Sequence, residues 1–408
     1  MIDKELIDKL VGKYECPLYI FRENDFIINY HLFNEAMKSV YDKYQLSYSY
    51  KTNYAPYICG LVKSLGGYAE VVSDMEYSIA KKVGYDDNHI IYNGPTKGNL
   101  SIKMALSGGL LNIDNLDELN KFCELARNNK NININIGLRL NINIGQSFIS
   151  RFGIDVDNGD LDKAIELINK YGNLHIQGLH CHVGRSRTVE SWSNRAKVML
   201  EVVDKYFKNN KLKYIDLGSG MFARMEESLA KQFGDNIPSY KDYANAIGSI
   251  FNEYYKDYSF KDKPILFSEP GTTLINSYID FVSKVKAIKH IKGKEFIVLD
   301  ASKHNLGEIC TLKKLPITII HNGNDKQTLN DASFVGYTCL EHDVMYEGYE
   351  GELAIGDYVV FHNVGGYSNV SKPPFISPNC AMVSENGNLI KKKESFDDVL
   401  STYRSFNE

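Results

Sequence analysis

Between about residues 20 and 275, short stretches with strand-like alternation give way repeatedly to segments with helical spacing. In NININIGLRLN, every second residue from Ile132 to Leu140 is apolar, which predicts a strand. From Trp192 to Tyr206, apolar residues instead recur at steps of three and four, which predicts a helix with one buried face. The strand candidates are LSYSYK, AEVV, IIYNG, LLNID, INIGLRLN, IQGLHCHV, YIDLGSG and ILFSEPG. Strands and helices alternating in this number predict a (β/α)8 TIM-like barrel of the α/β class over residues 22–275.

The pattern changes at about residue 276. The segments FIVLD, PITIIH, ASFVGYTC, GDYVVFHNVGGY and AMVSENGNLI are short strands separated by turn residues, without a long helix between them. We therefore expect a mostly antiparallel β-barrel or sandwich domain over residues 276–408, with a contribution from residues 1–21.

Composition excludes several classes of function. The chain has 408 residues and a net charge of −4, which argues against nucleic acid as the main partner. No apolar run reaches the roughly 20 residues needed to span a bilayer, and the charged N-terminal stretch lacks the apolar core of a signal peptide. The seven cysteines are scattered without paired spacing, so we expect a reduced, cytoplasmic protein.

Residues capable of chemistry stand at the ends of the predicted barrel strands. They are Lys51, the pair His180 and His182, the Gly218–Gly220 turn and Glu269. Active sites of such barrels lie where the strands end. The two histidines are also compatible with a metal site, but no other predicted barrel strand ends in histidine, so we expect no metal.

The order of these motifs resembles that in pyridoxal-phosphate-dependent decarboxylases of the diaminopimelate and ornithine decarboxylase family, which have an alanine-racemase-like barrel. The resemblance covers nearly the whole chain. The matching stretches are YSYKTN, GYAEVVSDMEY, SRFGI, GLHCHVG, LGSG, SEPG, GYTCLEHD and GDYVVFHNVGGY.

The resemblance implies a role for each motif. Lys51 would form the imine with pyridoxal 5′-phosphate (PLP), Glu269 would hold the proton of the pyridine nitrogen, and His182 would pack on the ring. The catalytic residues would be Lys51 and Cys339, the cysteine being supplied by the partner subunit of a homodimer with shared sites. The expected cofactor-binding residues are Lys51, Glu70, His182, Gly218, Ser219, Gly220, Glu269, Gly271, Thr272 and Tyr367.

Three departures from the family pattern concern the substrate. The usual E-P-G-R reads here with Thr272 in place of the arginine, and the Arg-Pro pair that helps grip the distal carboxylate of diaminopimelate is replaced by a stretch containing Glu308. The family's C-E-S-x-D becomes Cys339-Leu340-Glu341-His342-Asp343. We therefore expect Arg151, Glu308 and Glu341 to contact the substrate, and meso-diaminopimelate to be a poor one.

Two other functions use the same cofactor. A PLP-dependent racemase tends to place an arginine at the pyridine nitrogen, and Glu269 argues against that. A non-enzymatic PLP-binding protein consists of the barrel alone, and the second domain argues against it. The amino-acid decarboxylase is the preferred interpretation.

Overall fold

The computed structural model describes residues 2–208, 211–234 and 236–404. The chain divides into two compact units. The first, called the barrel unit, comprises Asn29–Phe222 and Pro238–Thr273. The second, called the β unit, comprises the described parts of Met1–Ile28, Ala223–Ile237 and Leu274–Glu408.

The strands and helices are numbered in chain order. The strands are β1 Leu18–Phe21, β2 Tyr44–Ser49, β3 Tyr68–Val71, β4 Ile90–Tyr92, β5 Leu110–Ile113, β6 Ile134–Asn141, β7 Ile154–Asp155, β8 Leu174–Cys181, β9 Tyr214–Asp216, β10 Ile265–Ser268, β11 Ile279–Ile291, β12 Lys294–Leu299, β13 Ile317–Ile320, β14 Gln327–Val335, β15 Val344–Leu353, β16 Tyr358–Phe361, β17 Ala381–Ser384 and β18 Leu389–Lys391. The helices are α1 Lys4–Tyr14, α2 Glu23–Lys38, α3 Pro56–Ser64, α4 Asp74–Val83, α5 Leu100–Leu106, α6 Leu116–Asn128, α7 Asp160–Asn169, α8 Val189–Tyr206, α9 Glu227–Ala230, α10 Tyr240–Tyr254, α11 Thr272–Ile275, α12 Ile309–Leu312 and α13 Phe396–Leu400.

A closed parallel barrel forms the centre of the barrel unit. Its strand order is β2, β3, β4, β5, β6, β8, β9 and β10, and β10 pairs with β2 to close the ring. The short β7 adds to the edge of β6. All eight predicted barrel strands are present, which confirms the TIM-like fold.

The inside of this barrel is unusually polar. The Tyr214 side chain is buried inside the barrel, and it fits there because the facing residues Gly137 and Gly178 have no side chain. A Cβ atom at Gly137 would lie 2.1 Å from the Tyr214 hydroxyl, and one at Gly178 would lie 2.3 Å from its ring. The remaining polar residues of the lumen are described with the candidate site.

The predicted amphipathic helix is α8. Thr188 caps its N-terminus by accepting a hydrogen bond from the Ser191 amide. Its buried face contains Trp192, Ala196, Met199 and Val203, as the apolar spacing predicts. Arg195 is also buried on this face, at 0% exposure, which the sequence pattern did not predict.

The β unit is built on a mostly antiparallel sheet, as expected. Its order is β15, β14, β12, β11, β1, β17 and β18, with β16 pairing both β11 and β13. Strand β1 pairs with β11 antiparallel and with β17 parallel, so the N-terminal segment belongs to this sheet. Strands β11 and β15 were missing from the sequence prediction. One core cluster of the β unit consists of Ile7, Leu10, Leu18, Ile20, Val282, Tyr358, Val360 and Val383.

Across residues 2–208, 211–234 and 236–404, no helix combines the length and the apolar composition needed to cross a membrane.

Candidate active site

Lys51 lies in a short 3-10 turn, Tyr50–Thr52, directly after strand β2. Its Nζ atom is 3.0 Å from Oε2 of the buried Glu70, at the end of the neighbouring strand β3. The Ser49 hydroxyl donates to the same oxygen at 2.5 Å. The lysine side chain keeps 33% of its surface exposed, so its amine is held by a buried carboxylate yet stays accessible.

A chain of buried hydrogen bonds crosses the barrel and ends at two carboxylates. The Tyr214 hydroxyl donates to Asn112 Oδ1 at 2.7 Å, and Asn112 Nδ2 donates to Asn93 Oδ1 at 2.6 Å. Asn93 Nδ2 then donates to Glu269 and, at 3.4 Å, to Glu70. Because each amide both accepts and donates, the chain fixes the direction in which Asn93 points its donors.

The sequence did not predict this series of hydrogen bonds. Asn93 follows strand β4 and Asn112 lies inside β5, both within strand candidates that were correctly predicted. The available signal was a polar residue on the inward face of two adjacent barrel strands. Asparagine is too common in this sequence for that signal to be recognised by itself.

Glu269 belongs to a second buried group, with His180 and Asp216. One polar atom from each of these side chains lies within 4.8 Å of the others. Asp216 Oδ1 accepts a hydrogen bond from the Gly218 amide at 2.8 Å. Its Oδ2 meets no donor among the described residues, and its carboxyl group is in hydrogen-bonding contact with Glu269. Two carboxylates in contact need a proton between them.

The proton of this pair belongs on Asp216. Burial, and then the charge of Glu269, raise the pKa of Asp216 well above its ordinary value. Burial also acts to raise the pKa of Glu269, but His180 and Lys51 outweigh it, so that pKa is lowered. His180 Nε2 lies 3.3 Å from Glu269 Oε1. A shared proton therefore accounts for the proximity of these side chains, and Glu269 remains ionised.

The turn Gly218–Gly220 packs against His182. The Ser219 amide donates to His182 Nδ1 at 3.1 Å, so this nitrogen acts as an acceptor and the ring is neutral there. Burial, and then the charge of Lys51, hold the pKa of His182 well below its ordinary value. A Cβ atom at Gly218 would lie 2.5 Å from the Cys181 carbonyl oxygen and 2.8 Å from His182 Nδ1. Glycine is required for this close approach.

The remaining predicted residues of the barrel unit are Gly271 and Thr272, which follow strand β10, and Arg151, in the loop between β6 and β7. A Cβ atom at Gly271 would be 2.1 Å from Thr52 Oγ1, so the glycine lets the SEPG segment approach the lysine turn. Thr272 follows as the first residue of α11. Arg151 is exposed and stacks on Phe152 at 4.2 Å.

In the β unit, Cys339 is exposed on a loop organised by the buried Asp343. Asp343 accepts hydrogen bonds from the Lys303 amide at 2.7 Å and from the Thr338 hydroxyl at 2.6 Å. Glu341, in the same loop, is exposed. The buried carboxylate of Asp343 therefore ties the cysteine loop to the segment that begins at Lys303.

That segment also carries Glu308 and approaches Tyr367. A Cβ atom at Gly307 would lie 2.9 Å from the Tyr367 carbonyl oxygen, and Gly307 has a left-handed φ of 77°. Tyr367 itself has a φ of 56° and is exposed. Glu308, next to Gly307, is exposed. The loops bearing Cys339, Glu308 and Tyr367 are thus linked within the β unit, and their roles stay predictions.

The residues of the barrel unit fit PLP. An accessible amine at Lys51 suits the aldehyde, the ionised Glu269 suits a protonated pyridine nitrogen, and a neutral flat ring at His182 suits stacking. The two glycines of the Gly218–Gly220 turn have left-handed φ values of 70° and 108°. Successive backbone amides in turns of this kind can form a concave site for an anion. Two of its amides donate to Asp216 and His182. The Gly220 amide donates to no residue in the described part of the chain and can serve an anion.

Comparisons with known proteins agree with this chemistry. The family model for the pyridoxal binding domain of pyridoxal-dependent decarboxylases matches residues 29–276. The chain is 27% identical to diaminopimelate decarboxylase of Methanocaldococcus jannaschii, with 96% of this chain and 92% of that protein covered. It is 25% identical to the enzyme of the same name from Aquifex aeolicus, with 97% and 93% covered.

Solved structures show the same architecture. The crystal structure of the M. jannaschii diaminopimelate decarboxylase in complex with L-lysine matches with a TM-score of 0.83 and 25% identity, covering 97% of this chain and 94% of that one. The lysine/ornithine decarboxylase of Vibrio vulnificus, with 18% identity and a TM-score of 0.75 over 94% and 99% of the two chains, shares the fold.

Proposed function

The chain belongs to the pyridoxal-dependent decarboxylases, and on that premise we propose that it decarboxylates an amino acid whose side chain ends in an amine, a hydroxyl or an amide. Bound PLP supplies an electron sink for the electron pair left at Cα when CO₂ departs. The sink is strongest when the pyridine nitrogen is protonated. The observation that carries the proposal is the buried Glu269 carboxyl group, which lies 3.3 Å from His180 Nε2 and accepts a hydrogen bond from Asn93, because a carboxylate held in this way is suited to keep that proton in place.

The protein's own residues divide the remaining work. Glu70 holds the Lys51 amine at 3.0 Å, which orients it for attack on the cofactor aldehyde. Asn93 donates to both Glu70 and Glu269 and so fixes the spacing of the two carboxylates. His182 offers a neutral ring face, which does not compete with the substrate for a proton.

The choice of substrate rests on charge. Diaminopimelate has a distal carboxylate that needs a cation, and at the family's substrate positions this chain has Thr272, Glu308 and Glu341. Glu308 and Glu341 are accessible acids on linked loops of the β unit, as expected for groups that meet a distal amine. The relatives named diaminopimelate decarboxylase support the alternative that meso-diaminopimelate is the substrate, with Arg151 as the cation.

Steady-state kinetics distinguish these substrates. We expect a higher kcat/KM for L-lysine or L-ornithine than for meso-diaminopimelate. Glu308→Gln and Glu341→Gln should raise KM for the basic amino acid with little change in kcat. The two glutamates are proposed to bind the distal amine of the substrate, which takes no part in the reaction. Glu347→Gln, at an exposed position of β15, is the matched control. A clear preference for meso-diaminopimelate, lost in Arg151→Met, would contradict the proposed specificity.

Assembly is part of the proposal. Cys339 is exposed in the β unit, at the end of a loop with its own buried anchor, Asp343. A thiol presented in this way can serve the site of a second copy of the chain. We therefore propose a homodimer in which Cys339 of each subunit protonates Cα in the site of the other.

A further inference from the structure

Arg195 is a buried cation on helix α8. Its side chain has no exposed surface, and the described residues provide no carboxylate within ion-pair distance of it. Burial lowers the pKa of its guanidinium to about 10, so the group stays charged at neutral pH. By contrast Arg139, the other buried arginine of the barrel unit, is neutralised by Asp114 at 2.9 Å. An uncompensated buried charge is costly and calls for an anion.

The guanidinium of Arg195 binds the carbonyl groups of two loops. Nη1 donates to Leu217 O at 3.2 Å and to Ser219 O at 2.6 Å. Nη2 donates to Val183 O at 2.6 Å and to Ser186 O at 2.9 Å. The first loop is the Gly218–Gly220 turn, and the second follows His182.

These bonds determine where the Gly220 amide points. In a trans peptide the carbonyl and the following N–H point in opposite directions. Because Ser219 O points at Arg195, the Gly220 N–H points away from it, and this N–H donates to no residue in the described segments. Trp192 Nε1 donates to Gly220 O at 3.3 Å, and the Arg195 guanidinium stacks over the Trp192 ring at 4.5 Å. Helix α8 therefore holds both peptide groups of Gly220.

We propose that Arg195 is a positioning residue for the phosphate group of the cofactor. It orients the Gly220 amide toward the phosphate, and its unpaired charge lies on the opposite side of the same peptide, where it favours a dianion. After burial and the charge of Lys51, the charge of Arg195 also acts to lower the pKa of His182. This inference rests on the proposed assignment of Gly218–Gly220 as the phosphate cradle.

Comparing PLP with pyridoxal, which lacks the phosphate, isolates this role. The apoprotein is titrated with each compound, and binding is followed by the fluorescence of Trp192, the single tryptophan of the chain. The readout is the ratio of the dissociation constants for pyridoxal and PLP. Arg195→Met should lower this ratio at least tenfold, because only the phosphate depends on the orientation of the Gly220 amide. Arg127→Met, at an exposed position of α6, should leave it within twofold.

The outcomes separate positioning from simple structural support. An equal loss of affinity for both compounds in Arg195→Met, or an equal fall in the ratio in Arg127→Met, would overturn the inference. If Arg195→Met does not fold, Arg195→Lys is used; it keeps the charge but loses the planar fork, and should lower the ratio at least threefold. An unchanged ratio there overturns the inference as well.

A further variant distinguishes failure of the inference from failure of the cradle assignment. Gly220→Ala places a Cβ atom 3.3 Å from Arg195 Nη2 and strains a residue with a φ of 108°. It should lower the same ratio. If Gly220→Ala lowers the ratio and Arg195→Met does not, the assignment of Gly218–Gly220 as the phosphate-binding turn is supported and the proposed role of Arg195 is wrong. If neither lowers it, the cradle assignment itself fails.

Discussion

Replacing Asp216 with asparagine should remove a pH-dependent cost from the stability of the barrel unit. Asp216 is buried, accepts the Gly218 amide at 2.8 Å and contacts Glu269. Burial and Glu269 together raise its pKa well above the ordinary value. Asparagine keeps the acceptor for Gly218 and provides a permanent donor toward Glu269, so it mimics the protonated acid.

The sign and size of the effect follow from proton linkage. Above the ordinary aspartate pKa of about 3.9 and below the raised pKa of the folded state, the unfolded chain has lost the Asp216 proton while the folded chain retains it. The folded state then binds the additional proton, so its stability falls as pH rises. The slope approaches about 1.4 kcal/mol per pH unit within this window. The asparagine side chain of the variant has no such proton to lose.

Urea unfolding at pH 5, 6 and 7, followed by Trp192 fluorescence, measures this slope. Inside this window, the free energy of unfolding of Asp216→Asn should rise relative to that of the wild type by roughly 1 kcal/mol for each pH unit. Asp117→Asn, on the surface of α6, should run parallel to the wild type. Parallel profiles for Asp216→Asn and the wild type would refute the assignment of the proton to Asp216.

Three other experiments test the site. Gly218→Ala should weaken PLP binding in an absorption titration, because its Cβ would lie 2.5 Å from the Cys181 carbonyl oxygen. Gly172→Ala is the control, since no atom lies within 4 Å of its Cβ, and it should bind PLP as the wild type does. Equal PLP affinities of the two variants would contradict the close approach at Gly218. Glu269→Gln should retain PLP but lower kcat by on the order of 100-fold, and an undiminished kcat would show that Glu269 does not act on the ring. Mixing inactive Lys51→Ala and Cys339→Ala proteins should restore partial activity, and none despite verified subunit exchange would argue against shared sites.

The barrel could be predicted from sequence because its strands are short, buried and separated by helices of regular period. All eight strands and helix α8 came from this pattern. Strand β11 was missed because its second half carries several lysines, so its alternation of apolar and polar residues is weak. Strand β15 was missed because glutamates and tyrosines replace the aliphatic residues that mark a strand.

The site was predictable only in part, for a physical reason. Lys51, His182 and Glu269 stand at or near the ends of strand candidates and are recognisable by position and by motif. Asp216 and Asn93 also lie at strand ends, but their roles depend on which neighbour holds the proton or the amide donor. These hydrogen-bond partners and proton positions depend on contacts across the barrel, and the spacing of apolar residues in the sequence does not reveal them. A buried charge on a helix, as at Arg195, contradicts the simple apolar pattern and becomes apparent only once its carbonyl partners are known.

The central claim is that this site removes CO₂ from an amino acid with the help of PLP and Lys51. The most direct test incubates the PLP-loaded protein with carboxyl-labelled L-lysine, L-ornithine and meso-diaminopimelate and measures labelled CO₂ together with the amine formed. We predict equal amounts of CO₂ and amine from at least one substrate with the wild type and with Lys103→Ala, an exposed control on α5. Lys51→Ala should release none and should lack the visible absorption of lysine-bound PLP. Conversion between D and L forms without CO₂ release, or undiminished release from Lys51→Ala, would contradict the account.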